Sequence, residues 1–89
     1  MPSPRVEITY CTQCKFLLRA SWFAQELLTT FGNELGEVAL RPSSGGIFEI
    51  ALDGEIVTSN REGRPMPEVG EVKRSLRDRI APDRKIGHD

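Results

Sequence analysis

Few of the residues that carry metal, redox or stacking chemistry occur in this chain of 89 residues, which holds two cysteines, one histidine, one tyrosine and one tryptophan. Structural zinc takes four ligands, and Cys11 and Cys14 with only the distant His88 do not supply them. A zinc site would need thiolates from two chains. We keep that as a minor alternative, beside two idle thiols. Composition therefore disfavours a zinc-binding domain.

Neither charge predominates, and no long hydrophobic run is present. Twelve basic and thirteen acidic side chains leave a formal net charge of −1, so no overall basic field points to nucleic acid or to an anionic membrane surface. The apolar segment 6–10 is far too short for a signal-peptide core or a membrane span. We therefore expect a cytoplasmic protein that binds neither nucleic acid nor membrane.

The length is that of one small domain. Chains of this size build a single modest core, and no internal repeat or interdomain linker divides the sequence. We expect one domain over residues 1–89, with loose termini at 1–4 and 81–89.

Both cysteines lie in one Cys-x-x-Cys motif, Cys11 and Cys14, where a change of hydrophobic period predicts that a strand gives way to a helix. Apolar and polar residues alternate over 5–9, as in a strand with one buried face. After Cys14 the apolar residues recur at intervals of three and four, which predicts an amphipathic helix over 14–31. The motif therefore lies at a strand–helix junction.

This placement favours thiol chemistry. Unpaired N–H groups and the positive end of the macrodipole at a helix start stabilise a thiolate and lower its pKa. Lys15 is the sole charged neighbour, so we expect the helix terminus to supply most of the activation. Two intervening residues let the sulfurs form a disulfide with little backbone movement. Such a short cross-link constrains the unfolded chain little, so stability is a poor reason for the pair. Cys11 and Cys14 are therefore the candidate active site.

The remaining patterns predict a β-α-β-β-β-α order. We expect a second strand, parallel to the first, over 37–40 and then a loop over 41–46. A hairpin of two strands, 47–52 and 55–59, should turn at Asp53-Gly54. A polar, turn-rich stretch over 60–67 should lead into a second helix over 68–80. The fold class is α/β (α+β), thioredoxin-like, with a four-stranded mixed sheet and two main helices. A Cys-x-x-Cys motif near a βαβ unit is a recognised cue for that arrangement.

Two features of the first helix bear on its packing. The predicted inward stripe consists of Leu17, Ala20 or Ser21, Ala24, Leu27 or Leu28, and Phe31. Trp22 and Phe23 are adjacent, so they point to different sides. One of them could be exposed near a docking surface, whereas core packing is the more common role of a helix aromatic.

Several weaker candidates could contact a substrate or partner near the sulfurs. An arginine fork matches a carboxylate such as that of glutathione, and paired glycines let a backbone approach closely. Ordinary turn, core or solvated-loop roles remain open for all of them. These candidates are Tyr10, Thr12, Gln13, Gly45, Gly46, Arg61 and Arg64.

The sequence resembles the selenoprotein W-like proteins (the SelT/SelW/SelH, or Rdx, group) over nearly its whole length, in the manner of bacterial members that carry cysteine in place of selenocysteine. The most specific elements are the opening Val6-x-Ile8-x-Tyr10-Cys11-x-x-Cys14 and the strand Gly46-Ile47-Phe48-Glu49-Ile50. The hairpin return Asp53-Gly54-Glu55-Ile56-Val57-x-Ser59, the helix start Pro67-Glu68 and the tail from Pro82 to His88 are similar as well.

The resemblance implies a thioredoxin-like fold and a role in cell redox homeostasis. It implies glutathione or thioredoxin-type partners and an unidentified protein thiol partner. No cofactor would be bound permanently, and glutathione would act as a co-substrate. Selenium-containing members carry selenocysteine at the position of Cys14. The proline that precedes the third strand in thioredoxins is absent, and Gly45-Gly46 stands there instead.

The roles of the two sulfurs stay open at this point. Thioredoxin precedent favours a more exposed Cys11 as the nucleophile, with Cys14 resolving from within the helix, whereas the selenocysteine position favours Cys14. Two functions also remain: a thiol–disulfide oxidoreductase, or a protein-binding module gated by the redox state of the pair, without turnover. An exposed sheet edge would permit a homodimer.

Overall fold

Residues 3–86 are described by a computed structural model, whose centre is a four-stranded sheet in the order β2-β1-β3-β4. β1 is parallel to β2, whereas the β1–β3 and β3–β4 pairs are antiparallel. The elements are β1 (Arg5–Cys11), α1 (Leu17–Phe31), β2 (Glu37–Ser43), β3 (Phe48–Leu52), β4 (Glu55–Ser59) and α2 (Val69–Ile80), with short 3-10 turns at Gly32–Glu34 and Arg61–Gly63. The predicted fold class and element order are confirmed.

Both helices contribute to one core against one face of the sheet. The alternating residues Val6 and Ile8 of β1 are fully buried there, together with side chains of both helices, among them Phe23, Leu27 and Leu76. Full burial of such a side chain contributes about 1.5–3 kcal/mol. In the part of the chain that the structure describes, no helix is both long enough and apolar enough to span a bilayer.

The buried stripe of α1 differs from the predicted one in two places, since Leu17 is exposed and Phe23, which the predicted stripe omits, is buried. Ala20, Phe23, Leu27 and Phe31 are buried, whereas Leu17 and Leu28 are half exposed. The divergence of the two adjacent aromatics is as expected, since Phe23 is buried and Trp22 is 46% exposed.

The junction between β1 and α1 is longer than predicted. β1 continues to Cys11 instead of ending at Thr9, and α1 begins at Leu17 instead of at Cys14. Residues 12–15 form a turn in which the Lys15 N–H donates to the Thr12 carbonyl over 3.2 Å. Lys15 has a φ of +60°, a left-handed conformation that a right-handed helix cannot include. The helix therefore starts only after it.

β2 is also longer than predicted, because residues 41–43 continue the strand and are not part of the loop. Pro42 pairs with Tyr10 in this register, and it is tolerated because β2 is an edge strand. The remaining connection, residues 44–47, is called the glycine loop below.

The hairpin prediction is confirmed: Asp53 and Gly54 have φ values of +50° and +86°, as a type I′ turn requires.

The stretch that follows α2 packs back onto the end of α1 as far as the structure describes it. The Arg84 guanidinium contacts the Glu34 carboxylate and the Thr30 carbonyl, and it lies 5.7 Å from the centroid of the Phe31 ring. Ile86 is buried. The rest of the expected loose termini, including His88, lies outside the described residues.

Candidate active site

The two cysteines differ sharply in exposure. Cys11, the last residue of β1, is 1% exposed, whereas Cys14 lies exposed in the turn. The Cys11 N–H donates to the Ile47 carbonyl over 2.8 Å, and the Cys11 carbonyl accepts a hydrogen bond from Phe16 N. The expectation that Cys11 is the more exposed sulfur is therefore wrong, because both ends of its peptide unit are held inside the sheet–helix junction.

The two thiols differ in acidity. Hydrogen bonding with the Cys14 side chain lowers the pKa of Cys11 in spite of its burial, and the backbone N–H groups of Gly46, Cys14 and Gln13 lower it further. The same sulfur–sulfur contact raises the pKa of Cys14. A thiolate therefore forms more readily at Cys11 than at Cys14.

The source of activation also differs from the expected one. Since α1 begins at Leu17, Cys14 is not in its first turn. The donors that stabilise the Cys11 thiolate are instead the Cys14 thiol, the N–H groups of the turn and the Gly46 N–H of the glycine loop. The turn at residues 12–15 and the glycine loop, and not the start of α1, therefore stabilise the thiolate.

The glycine loop is held in place by Asn60, which follows β4. Its side-chain amide nitrogen donates to the Gly46 carbonyl, and its side-chain oxygen accepts from Phe48 N, each over 2.8 Å. Gly45 and Gly46 have φ values of +77° and +78°, and an added Cβ would meet nothing within 4 Å at either. Glycine is therefore required for conformation, not for space. The sequence marks Asn60 only as part of a polar turn, and its role depends on a long-range contact.

The predicted neighbours of the sulfurs are placed unequally. Thr12 and Gln13 are exposed in the turn, and the Thr12 N–H and hydroxyl both donate to the Ser43 carbonyl, over 3.1 and 3.3 Å. Tyr10 is only 7% exposed and belongs to the core cluster, so it offers no surface to a partner.

Arg61 and Arg64 share a depression of about 270 Å³ beside β4. Arg61, but not Arg64, also lines a depression of about 580 Å³ formed by residues 43–47 and 60–62. Arg61 Nε lies 2.6 Å from a carboxylate oxygen of Glu49. Burial alone would raise the pKa of Glu49, but the hydrogen bonds from Arg61 and the Ser59 hydroxyl outweigh it and lower that pKa. Arg61 is thus engaged within the protein, although most of its side chain remains exposed.

A further depression is lined by Cys14 itself, and the sequence did not predict its lining. We call it the α1 groove; it encloses about 520 Å³ and is lined by Cys14, Lys15, Phe16, Leu18, Arg19 and Trp22. The only sequence signal for it is the divergence of Trp22 from Phe23. Within residues 3–86, no three His, Cys, Asp or Glu side chains come together in a group that could hold a metal ion.

Comparisons with known proteins agree with this architecture. The sequence model of the Rdx family matches residues 5–78. A protein from Bordetella parapertussis, known by crystal structure, is 48% identical, with a TM-score of 0.84 over 89% of this chain and 100% of its own. A selenoprotein W-related protein from Vibrio cholerae is 40% identical, with a TM-score of 0.82 over 89% and 99% of the two chains. None of the curated proteins compared matches significantly.

Proposed function

Because the chain belongs to the Rdx family, we propose that it is a thiol–disulfide redox protein in which Cys11 and Cys14 exchange with disulfides of glutathione, thioredoxin-type proteins or other protein partners. The observation that supports the proposal most directly is that one motif pairs an exposed Cys14 thiol with a buried Cys11 thiol whose pKa its neighbours lower. Thiol donors that return the pair to the dithiol form are abundant in the cytosol, which is the location we propose.

In the first step the Cys14 thiolate attacks one sulfur of a partner disulfide. The partner S–S bond breaks, a Cys14–partner S–S bond forms, and the other partner sulfur leaves as a thiolate. Accessibility favours Cys14 for this step, since Cys11 is buried. The raised pKa of Cys14 reduces its thiolate fraction, but a thiolate of higher pKa is the stronger nucleophile once formed.

In the second step the Cys11 thiolate attacks the Cys14 sulfur. The Cys11–Cys14 disulfide forms, and the second partner sulfur leaves as a thiolate. When Cys14 is in the mixed disulfide it no longer donates a hydrogen bond to Cys11. The N–H groups of Gly46, Cys14 and Gln13 still favour the Cys11 thiolate, so Cys11 is ready to resolve the adduct.

The balance of the cycle is two electrons. They pass from the cysteine pair to the partner disulfide, and the two protons given up by the cysteines are taken up by the two partner thiolates. A thiol reductant then restores the dithiol and is itself oxidised to a disulfide. Two glutathione molecules or one dithiol of the thioredoxin type would suffice.

Trapping with glutathione disulfide tests the assigned roles. Cys11→Ser should accumulate a glutathione adduct on Cys14, because the resolving sulfur is gone, and mass spectrometry measures its yield. Cys14→Ser leaves only the buried sulfur and should form its adduct much more slowly. The absence of an adduct in both variants would contradict the proposed function, and a faster adduct on Cys11 would reverse the assignment.

The exposed α1 groove beside Cys14 also favours a second candidate, a binding module whose docking is gated by the redox state of the pair. Turnover separates the two. Repeated reduction of a small disulfide at the expense of excess glutathione favours an oxidoreductase. Stoichiometric oxidation with negligible turnover, and binding that depends on the oxidation state, favours the module.

A further inference from the structure

The start of α1 presents apolar surface next to the accessible sulfur. Leu18 is 82% exposed and Trp22 is 46% exposed, and both line the α1 groove with Cys14. Leu17, directly before Leu18, is 51% exposed. These side chains are gathered at the end of the helix that faces the exchange site, where a partner bonded to Cys14 would lie.

We propose that the α1 groove docks a segment of a partner protein in which the cysteine that exchanges with Cys14 is flanked by apolar and acidic side chains. This inference rests on the proposed redox function and adds the kind of substrate that the site selects. Its support comes from the packing of Trp22 in the apolar wall, from the charges of the groove and from the mismatch of the groove with a second copy of the chain.

The tryptophan of the apolar wall is packed against the core before any partner binds. Leu18 and Trp22 are four residues apart in α1, so they share one face of the helix. The Trp22 ring packs edge-on against Phe23, with centroids 5.6 Å apart, and Phe23 is itself fully buried. A tryptophan fixed in this way loses little conformational entropy on binding, and tryptophan is enriched among residues that dominate interface affinity.

The charged part of the groove is basic. Lys15 and Arg19 line it, and no acidic side chain does. Neither forms an ion pair or side-chain hydrogen bond with another described residue, whereas other cations do contact carboxylates, namely Arg5, Arg41, Arg61 and Arg84. Two exposed cations without carboxylate partners, beside an apolar wall, match a segment that carries carboxylates.

A second copy of the chain does not match this groove. A twofold interface brings the same patch of both chains together, so Lys15 and Arg19 would face their own equivalents. Like charges placed together in an interface are costly. Free glutathione could offer carboxylates to the cations, but it has no apolar side chain to cover Leu18 and Trp22. A protein segment satisfies both halves of the groove.

Synthetic peptides provide the test. Each has one cysteine, blocked as a mixed disulfide with a chromophoric aromatic thiol, and the rate at which the full chain releases that thiol is measured. One peptide carries leucine and glutamate next to the cysteine, a second replaces glutamate by lysine, and a third replaces leucine by serine. The first should react about tenfold faster than the second at low salt, and the difference should shrink at high salt.

Matched variants locate the effect. Arg19→Glu should abolish or invert the preference for glutamate, whereas Lys85→Glu, an exposed change outside the groove, should preserve it. Leu18→Ala should remove the preference for leucine over serine, whereas Leu28→Ala, on an exposed position of the same helix, should not.

A small disulfide, glutathione disulfide, separates failure of docking from failure of the redox function. If the wild type exchanges with glutathione disulfide but treats the three peptides alike, docking is overturned and the redox proposal survives. If Arg19→Glu slows the reaction with glutathione disulfide as strongly as the reaction with the acidic peptide, the groove is a glutathione site and docking is again overturned. If no disulfide reacts at all, both proposals fail.

Discussion

At the scale of single residues, the site separates access from acidity. Cys14 is exposed and has a raised pKa, whereas Cys11 is buried and has a lowered pKa. In the proposed exchange, exposure lets Cys14 reach a partner, and the lowered pKa lets Cys11 resolve the resulting adduct. If the start of α1 activated the pair, the accessible sulfur would have the lowered pKa. Because the turn at residues 12–15 separates the pair from the helix, the lowered pKa is found at the buried sulfur instead.

Removing the Cys14 sulfur should raise the pKa of Cys11, whereas removing the Cys11 sulfur should lower the pKa of Cys14. Cys14→Ala deletes the thiol that donates to Cys11, so the pKa of Cys11 should rise relative to the wild type. Cys11→Ala deletes the acceptor that raises the pKa of Cys14, so that pKa should fall towards the ordinary thiol value. Thiolate absorbance in the ultraviolet, followed against pH, measures both; equal pKa values in the two variants and in the wild type would contradict a shared proton.

Asn60 offers a test of the loop that faces the sulfurs. Asn60→Ala removes the bonds to the Gly46 carbonyl and to Phe48 N, and Phe48 is fully buried. An unsatisfied buried amide costs about 1–3 kcal/mol, which denaturant unfolding would reveal. The Gly46 N–H should also lose its fixed position, and the pKa of Cys11 should rise.

Asn33→Ala is the control for that substitution, since Asn33 is an exposed asparagine in the turn after α1. It should change neither the stability nor the thiol pKa measurably. If Asn60→Ala lowers stability but leaves the pKa of Cys11 unchanged, Asn60 stabilises the fold without positioning the Gly46 N–H.

At the scale of elements, the pairing of α1 with α2 depends on more than apolar packing. Lys73 of α2 has a side chain that is only 6% exposed, and its Nζ lies 2.8 Å from a carboxylate oxygen of Glu26 in α1. Partnering of this kind is what makes a nearly buried ammonium tolerable. The contact joins residues 47 positions apart, so no local pattern in the sequence reveals it.

Glu26→Gln should therefore destabilise the protein by about 1–3 kcal/mol, because a nearly buried ammonium loses a charged hydrogen-bond partner. For a domain of this size each kcal/mol corresponds to a fall in Tm of about 4–8 °C. Glu37→Gln removes a carboxylate from an ion pair in which both side chains are about half exposed, and it should have far less effect. Equal shifts of Tm in the two variants would show that burial of Lys73 is not what matters.

Local signals predicted the elements and failed at their ends. Alternation at Val6 and Ile8 predicts β1, and Asp53-Gly54 predicts the hairpin, because both depend on neighbouring residues alone. The start of α1 depends on Lys15, whose side chain gives no sign of a left-handed backbone. The end of β2 depends on pairing with β1, which carries the strand through Pro42.

At the scale of the whole molecule, the site is assembled from three distant stretches. The order β2-β1-β3-β4 brings the turn after β1 next to the loop before β3, and Asn60 after β4 reaches back to that loop. The sequence predicted the cysteine pair and indicated the two glycines as candidates. It did not predict Asn60 or the α1 groove, because tertiary placement, and not local pattern, brings them to the sulfurs.

Equilibration of the wild type in glutathione buffers of graded potential, beside Cys11→Ser and Cys14→Ser, tests the central claim most directly. Alkylation and mass spectrometry would count free thiols at each potential. For the wild type we predict one reversible two-electron transition at a potential of the cytosolic range. For Cys11→Ser we predict that a single glutathione becomes attached to Cys14. Thiols that stay reduced across the whole series, or that become reactive only after a chelator is added, would contradict a redox function.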